Sequence, residues 1–425
     1  MISKFFLIII ALLGAPLFII IAASAMIGFN AEDIDLAVMP IEIYRLADTP
    51  ILIAIPLFTF AGYLLGESNA STRLVNITNA LIGWLPGGLA IMALITCAIF
   101  TAFTGASGVT IVALGALLYP ALKEAGYSER FNLGLITSSG SLGVLFAPSL
   151  PLILYGVVVQ QLGMETVAID DLFIAGLLPG FLMIIMLSIY SMMQKRHPGV
   201  EKPKQKYNRA DVIKSLRAAA WEIPLPFVVL GGIYSGYFAV SEAAAITALY
   251  VFIVEVLILR EISYANLSKV IRESMVMVGG ILIILGVSLA MTNYMIDTEV
   301  PMRLFEVIKS HVDSKWTFLI LLNIFLLILG MMLDIFSALV IIVPIIFPIA
   351  ISYGINPIHL GIIFLANMQL GYFTPPVGMN LFIASYRFNR PVMELYRATI
   401  PYFLILFMAV LIITYWPGLT LFLLE

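Results

Sequence analysis

The chain has 425 residues, 62% of them hydrophobic and 11% charged, with a net charge of −3 and a mean hydropathy of +1.08. Soluble domains carry about 25% charged residues, so this composition excludes a water-soluble globule and points to an all-α polytopic membrane protein embedded in a lipid bilayer. The single cysteine, Cys97, excludes an intrachain disulfide framework or a CxxC metal site. Three dispersed histidines argue against a zinc cluster, and no basic face with interleaved aromatics suggests a nucleic-acid partner.

The first 29 residues carry Lys4, an apolar run and Ala23-Ser24-Ala25, the outline of a cleavable leader. Roughly 25 apolar residues exceed a typical leader core and match a spanning helix, so a retained first span is predicted. The connector 30–48 holds Glu32, Asp33, Asp35, Glu42 and Asp48 against Arg45 alone. After an apolar run over 49–66, segment 67–83 (ESNASTRLVNITNALIG) mixes polar and apolar residues and reads as an interfacial arm helix. The run 84–122 would measure roughly 58 Å as one helix, against a hydrocarbon core of about 30 Å. It must break, turn back or tilt. Asn132 to Met164 contains no Asp, Glu, Lys, Arg or His, yet is dense in Ser, Gly and Pro. A further span is predicted over 172–193.

Segment 194–217, QKRHPGVEKPKQKYNRADVIKSLR, holds eight of the 22 basic residues, which assigns it to the cytoplasm. It divides the chain into 1–193 and 218–425. The second part has apolar runs at 220–238, 243–259, 274–296, 316–353, 355–386 and 402–423, and its own mixed arm segment at 297–315. Punctuation repeats between the parts. Pro120, Gly126, Gly134 and Pro148 are spaced 6, 8 and 14 apart; Pro348, Gly354, Gly361 and Pro375 are spaced 6, 7 and 14 apart. Arg73-Leu74 and Arg303-Leu304 share a similar offset, near 228 residues. Corresponding loops differ in basic content. Loop 160–171 has no Lys or Arg, whereas 387–397 has Arg387, Arg390 and Arg397; 30–48 is acidic, whereas 260–273 has Arg260, Lys269 and Arg272. Such loops lie on opposite sides of the membrane, so the halves read as inverted repeats. This path leaves the N-terminus in the cytoplasm and the C-terminus outside.

Four stretches put polar or broken backbone at membrane depth, in two pairs. The first pair is FTGASGVT (103–110) and MLDIFSALV (332–340). Gly105, Ser107 and Gly108 interrupt one long run, and Asp334 is the only Asp, Glu, Lys or Arg between Trp316 and Tyr386. An ionisable residue there is a functional candidate by default; the bland alternative is a helix N-cap. Segments 84–122 and 316–353 are expected to be broken helices. The second pair is TSSGSLGVLFAPSLP (137–151) and ANMQLGYFTPPVGMN (366–380). Pro148, Pro151, Pro375 and Pro376 prevent straight helices, and freed backbone must be buried or line a cavity. These stretches are expected to shape two re-entrant helical hairpins, over 131–160 and 355–386, rather than kinked spans. Carbonyls and hydroxyls at such tips suit a hard cation, and helix N-termini suit an anion. Gly105-Ala106-Ser107-Gly108 also matches the GxSG motif of intramembrane serine proteases. Of the histidines, only His359 could lie deep enough to serve as its base, and no enzyme is expected.

Across nearly the whole chain, PLFTFAG (56–62), TGASGVT (104–110), APSLPLILYG (147–156), AGLLPG (175–180), GGIYSGYFAVSEAAA (231–245) and TPPVGMN (374–380) together resemble the large membrane subunit of tripartite ATP-independent periplasmic (TRAP) transporters. One departure is Ala147-Pro148, where members often have Pro-Pro. The resemblance implies a sodium-driven importer of an organic acid in a bacterial inner membrane. A periplasmic substrate-binding protein would deliver the acid, and a small membrane subunit would accompany the large one. The fold implied is an elevator, a scaffold with arms carrying a transport domain. Sodium would be the coupling ion, with no covalent cofactor. One sodium site is implied at Gly105, Ser107, Gly108, Ser138, Ser139 and Gly140, and a second at Asp334, Gly371, Thr374 and Gly378. The cleft between them, with Ser141, Asn367, Gln369, Pro376 and Asn380, would take the substrate. Sialic acid and C4-dicarboxylates both fit, with a lean to sialic acid. The rival readings are a stand-alone transporter of the same architecture and a channel.

Overall fold

The computed structural model describes residues 7, 9–10, 13–85, 87–164, 166–194, 208–312 and 314–424. Lys4 and the basic residues Lys195 to Lys206 lie outside them. Helices α1 (Leu17–Ala31), α2 (Val38–Arg45) and α3 (Ala54–Glu67) lead to the arm α4 (Ala70–Ile82). Then come α5 (Gly88–Thr104), α6 (Ser107–Glu124), α7 (Glu129–Ser139), α8 (Leu150–Leu162) and α9 (Ile169–Met193). Past the basic loop lie α10 (Arg209–Ala218), α11 (Pro224–Tyr234), α12 (Val240–Phe252) and α13 (Tyr264–Asp297). The arm α14 (Val300–Lys309) restarts the earlier order, with α15 (Lys315–Met332), α16 (Ile335–Ser352), α17 (Pro357–Gly371), α18 (Met379–Phe388), α19 (Val392–Tyr415) and the short α20 (Gly418–Leu421). Among the described residues seven helices are long and apolar enough to cross a bilayer, or eight if α7 and α8 count as one bent span. The first span was expected over residues 5–29; its later part is α1, which begins behind Pro16, and most of residues 5–12 lie outside the described residues.

The structure exchanges the hairpins and the broken helices. Lys315 Nζ, at the start of α15, donates to the carbonyl of Gly354, just past the end of α16, at 2.8 Å. Phe318 stacks on Tyr353 with centroids 4.5 Å apart. In a straight rod these points would lie roughly 50 Å apart. α15 and α16 therefore fold back on one another, turning at Leu333 and Asp334. In the first half, Gly87 and Phe131 meet the same end of α9. A Cβ on Gly87 would lie 3.2 Å from the Met192 Cα, and the Phe131 ring lies 6.2 Å from Tyr190. α5 and α6 thus also form a hairpin. It turns at Gly105, whose φ of +65° is left-handed, a conformation glycine adopts at no steric cost.

The Pro-rich stretches instead interrupt crossing helices. α7 and α8 differ in direction by 42°, a bend rather than a reversal. α17 starts beside Gly354, and the far end of α18 stacks Phe388 on Tyr119 of α6 at 5.1 Å. Pro148, Pro151 and Pro375 therefore shape breaks, not hairpin turns; the Ala147–Pro148 and Pro375–Pro376 peptides are both cis. Length explains the exchange. α5 and α6 end to end would measure about 52 Å, too long for one crossing, whereas α7 and α8 together make about 36 Å.

The hairpins open at opposite ends of α19. Trp316 of α15 stacks on Tyr415 at 5.6 Å, while Glu129, just past α6, pairs with Arg390, just before α19. Each hairpin's return helix packs on the other half's crossing helix, α6 on α18 and α16 on α8. A separate layer forms where α1 and α3 pack on α13 and α12 packs on α3. Arm α4 is pinned to this layer. Arg73 Nε donates to Glu222 at 2.5 Å, and its guanidinium also pairs with Glu261 and, at 3.3 Å, with Glu255. Burial alone would raise the Glu261 pKa. Its bonds from Arg73 and from the Asn69 N–H outweigh that and hold it below the usual glutamate value. Arg303, the sequence counterpart of Arg73, is exposed.

Candidate functional site

The two hairpin tips and the two helix breaks converge. At the first tip, Thr101 Oγ1 donates to the Gly140 carbonyl at 2.8 Å and lies 2.7 Å from Thr110 Oγ1. A Cβ on Gly140 would lie 3.3 Å from the Ser107 carbonyl oxygen. Ser107 and Gly140, two members of the first expected cation group, are therefore adjacent. Gly105 and Gly108 flank Ser107 on the tip. Ser138 Oγ donates to Gly134 O at 2.8 Å and Ser139 Oγ to Ile136 O at 3.4 Å. Both hydroxyl protons are thus turned back into α7. The carbonyls at the end of a helix lack partners within it, and a hydroxyl that donates its proton keeps its lone pairs, so both kinds of oxygen are available as ligands here.

Of the second expected group, Gly371, Thr374 and Gly378 lie together. Thr374 N–H donates to Gly371 O at 3.0 Å, and a Cβ on Gly378 would lie 2.7 Å from Thr374 O. The tip reaches this break through Gly378 N–H, which donates to Met331 O at 3.0 Å. Asp334 caps α16. Its Oδ1 accepts from Phe336 N and Ser337 N at 3.0 Å each, and Ser337 Oγ donates to Oδ2. The first tip differs, because Ala106 stands at the N-cap of α6 and provides no side-chain cap. One hairpin helix thus begins behind a carboxylate and the other with open N–H groups.

A cavity of about 300 Å³ lies between the tips. Gly105, Ala106, Ser107 and Gly108 line one side and Asp334, Ile335 and Tyr372 another; Tyr63 of α3 and Met277 of α13 close it from the outer layer. The five residues expected to bind substrate do not share this space. Asn367 Nδ2 donates to Asn323 Oδ1 at 2.7 Å and to Ile363 O at 2.8 Å, between α15 and α17, while its buried Oδ1 has no partner among the described residues. Ser141 and Gln369 are buried against each other, Ser141 Oγ donating to Gln369 O at 3.3 Å. Pro376 is exposed. Asn380 is buried behind the tip, where its Oδ1 accepts from Ser107 Oγ at 2.8 Å. Sequence reasoning missed Tyr372, whose Oη accepts from Ile335 N at 2.7 Å. Its one trace in sequence was a hydroxyl-bearing ring inside a broken apolar stretch.

A family model described as the tripartite ATP-independent periplasmic transporter, DctM component, matches residues 2–419. The chain belongs to the DctM family of TRAP transporter components. The chain is 33% identical over 386 residues to the C4-dicarboxylate TRAP transporter large permease protein DctM of Pseudomonas aeruginosa, covering 90% of this chain and 88% of that one. It is 32% identical over 415 residues to the isethionate TRAP transporter permease protein DctMQ of Oleidesulfovibrio alaskensis; the match covers 96% of this chain but spans only 64% of that relative's length. The crystal structure of the YdaH transporter of Alcanivorax borkumensis matches with a TM-score of 0.62 at 14% identity, over 87% of this chain and 85% of that one, a likeness of fold. A DctM chain is a multi-pass transporter permease, not an enzyme. The GxSG segment is a hairpin tip. His359 is engaged elsewhere, with Nδ1 2.8 Å from Thr420 Oγ1 and Nε2 3.3 Å from Thr414 O.

Proposed function

We propose that this DctM chain imports a small organic anion across a bacterial inner membrane, driven by sodium. A periplasmic binding protein would deliver the anion, and a small membrane subunit would complete the permease. The observation that carries the reading is the asymmetry of the tips around one cavity. The uncapped N-terminus of α6 offers backbone N–H groups and a positive helix end to an anion. The opposite tip repels anions, since Asp334 already fills its helix end. Sodium would bind beside each tip, at the Ser107–Gly140 oxygens and at the Asp334–Thr374–Gly378 oxygens, because unwound carbonyls and half-helix ends suit it. The α1, α3, α12 and α13 layer would be the fixed scaffold, and the two inverted hairpin units the moving body of an elevator. In this topology the N-terminus is cytoplasmic and the C-terminus periplasmic.

Two relatives carry names with isethionate and C4-dicarboxylate, both small organic anions. Neither name supports the lean to sialic acid, and a small sulfonate or dicarboxylate is the better-supported cargo. Sodium entering in excess of substrate charge would favour uptake, since each unit charge is worth about 2.3 kcal/mol per 100 mV. Reconstitution in proteoliposomes tests the tripartite reading. Uptake should require the small subunit and the binding protein; uptake by this chain alone would favour a stand-alone transporter, and sodium-independent, non-saturating flux a channel.

A further inference from the structure

A chain of hydrogen bonds runs from one hairpin tip to the other through the break between α17 and α18. Ile335 N–H, the first of α16, donates to Tyr372 Oη at 2.7 Å. The Tyr372 carbonyl accepts from Asn380 N–H at 2.9 Å. The Asn380 side chain then takes the Ser107 hydroxyl proton on Oδ1 at 2.8 Å and donates from Nδ2 to Thr137 O at 3.4 Å. All the linking groups are buried; Tyr372 is 3% exposed and Asn380 0%. Two of the links are long-range, Ile335 and Tyr372 lying 37 positions apart and Ser107 and Asn380 lying 273 apart.

The bridge touches both expected cation groups. At one end it holds the residue after Asp334; at the other it holds Ser107 and the last turn of α7. Gly378 lies within the same loop and Thr374 beside it. A cation that tightens one group must therefore pull on the segment 372–380 and preset the other. Two ligands that both favour one arrangement of a shared element bind with positive coupling. We infer that Tyr372 and Asn380 are positioning residues that make the two tips one cooperative unit for sodium. The inference rests on the sodium reading above. It also gives Asn380 a role other than contact with substrate.

The test needs no substrate. The purified chain in detergent is titrated with radioactive sodium chloride against choline chloride at constant ionic strength and temperature, bound sodium is read by scintillation proximity, and the melting temperature in choline is measured alongside. The wild type should titrate sigmoidally. Tyr372→Phe removes only the hydroxyl, and Asn380→Ala only the side-chain link. Each should bring the Hill coefficient to about 1 and raise the half-saturating sodium concentration about threefold to tenfold. The double variant should be no worse than the weaker single one, because either change already breaks the same bridge. A variant that melts lower in choline but keeps the sigmoid would have lost stability alone, and that overturns the inference. A hyperbolic wild-type curve overturns it as well, leaving sodium binding intact. A wild type that binds no sodium would instead sink the sodium reading itself.

Discussion

Asp334 was conspicuous in the sequence because nothing else of its charge accompanies it between Trp316 and Tyr386. The structure makes it a helix cap, and capping does not exhaust a carboxylate, which has about four lone-pair sites. Cap and ligand can be separated. Asp334→Asn keeps an oxygen able to cap α16 and should retain most of the melting temperature, yet raise the sodium half-saturation of uptake at least about tenfold. Asp334→Ala should show that sodium defect and also lose about 1 kcal/mol of stability. If Asp334→Asn transports with unchanged sodium affinity, Asp334 is a cap and no more. Ser138 and Ser139 give the opposite expectation. Alanine keeps every backbone carbonyl, and ligation by those carbonyls predicts that Ser138→Ala and Ser139→Ala shift sodium half-saturation by less than about twofold; a larger shift would assign the hydroxyls, which keep their lone pairs while donating into α7. Tyr372 was illegible for a simple reason: its partner amide belongs to Ile335, 37 positions away, and a backbone N–H leaves no mark on composition.

At the scale of elements, both hairpins press a glycine at a helix break against the preceding hairpin helix. Gly143 abuts Ala98 and Ala102, and Gly371 abuts Gly330; an added Cβ would sit 2.2 Å from Ala98 O and 2.4 Å from the Gly330 carbonyl carbon. The obstacles are backbone and cannot rotate away. Gly371→Ala should therefore destabilise the chain by about 1–3 kcal/mol, read as a lower melting temperature. Gly231→Ala in α11 meets nothing within 4 Å and serves as the control; it should be neutral or raise stability by up to about 1 kcal/mol. The arm is held differently. Arg73 is the cation among Glu222, Glu255 and Glu261, so Arg73→Ala should cost about 3 kcal/mol or more by stranding buried charge. Glu261 is held below its usual value of 4.5. Its contribution is therefore present above that value and fades as the pH falls through its lowered pKa, in the range below about pH 4.5. Melting curves of wild type and Glu261→Gln should converge there. The ends of the arms and the break positions were readable because polarity changes abruptly. The ion cluster was not, since its acids come from 149 to 188 positions away.

For the whole molecule, the sequence revealed a twofold pattern but reversed its parts. Small residues and prolines both interrupt helices, so composition does not say which interruption turns the chain round. Length does. The run 84–122 exceeds one crossing and must double back, while Asn132 to Met164, with its break, fits one. A two-residue turn at Gly105 can reverse direction, whereas the longer Pro-rich breaks carry the chain onward. With the hairpins exchanged, Asn367 and Gln369 fall on a crossing helix, where they are buried and do not line the cavity between the tips. The claim on which everything else depends is sodium coupling of organic-anion import. It is tested most directly by loading proteoliposomes containing the complete permease with potassium, adding binding protein charged with a C4-dicarboxylate, and following accumulation. The expected result is uptake above equilibrium under an inward sodium gradient, abolished by a sodium ionophore. Equal accumulation with external choline in place of sodium would contradict it.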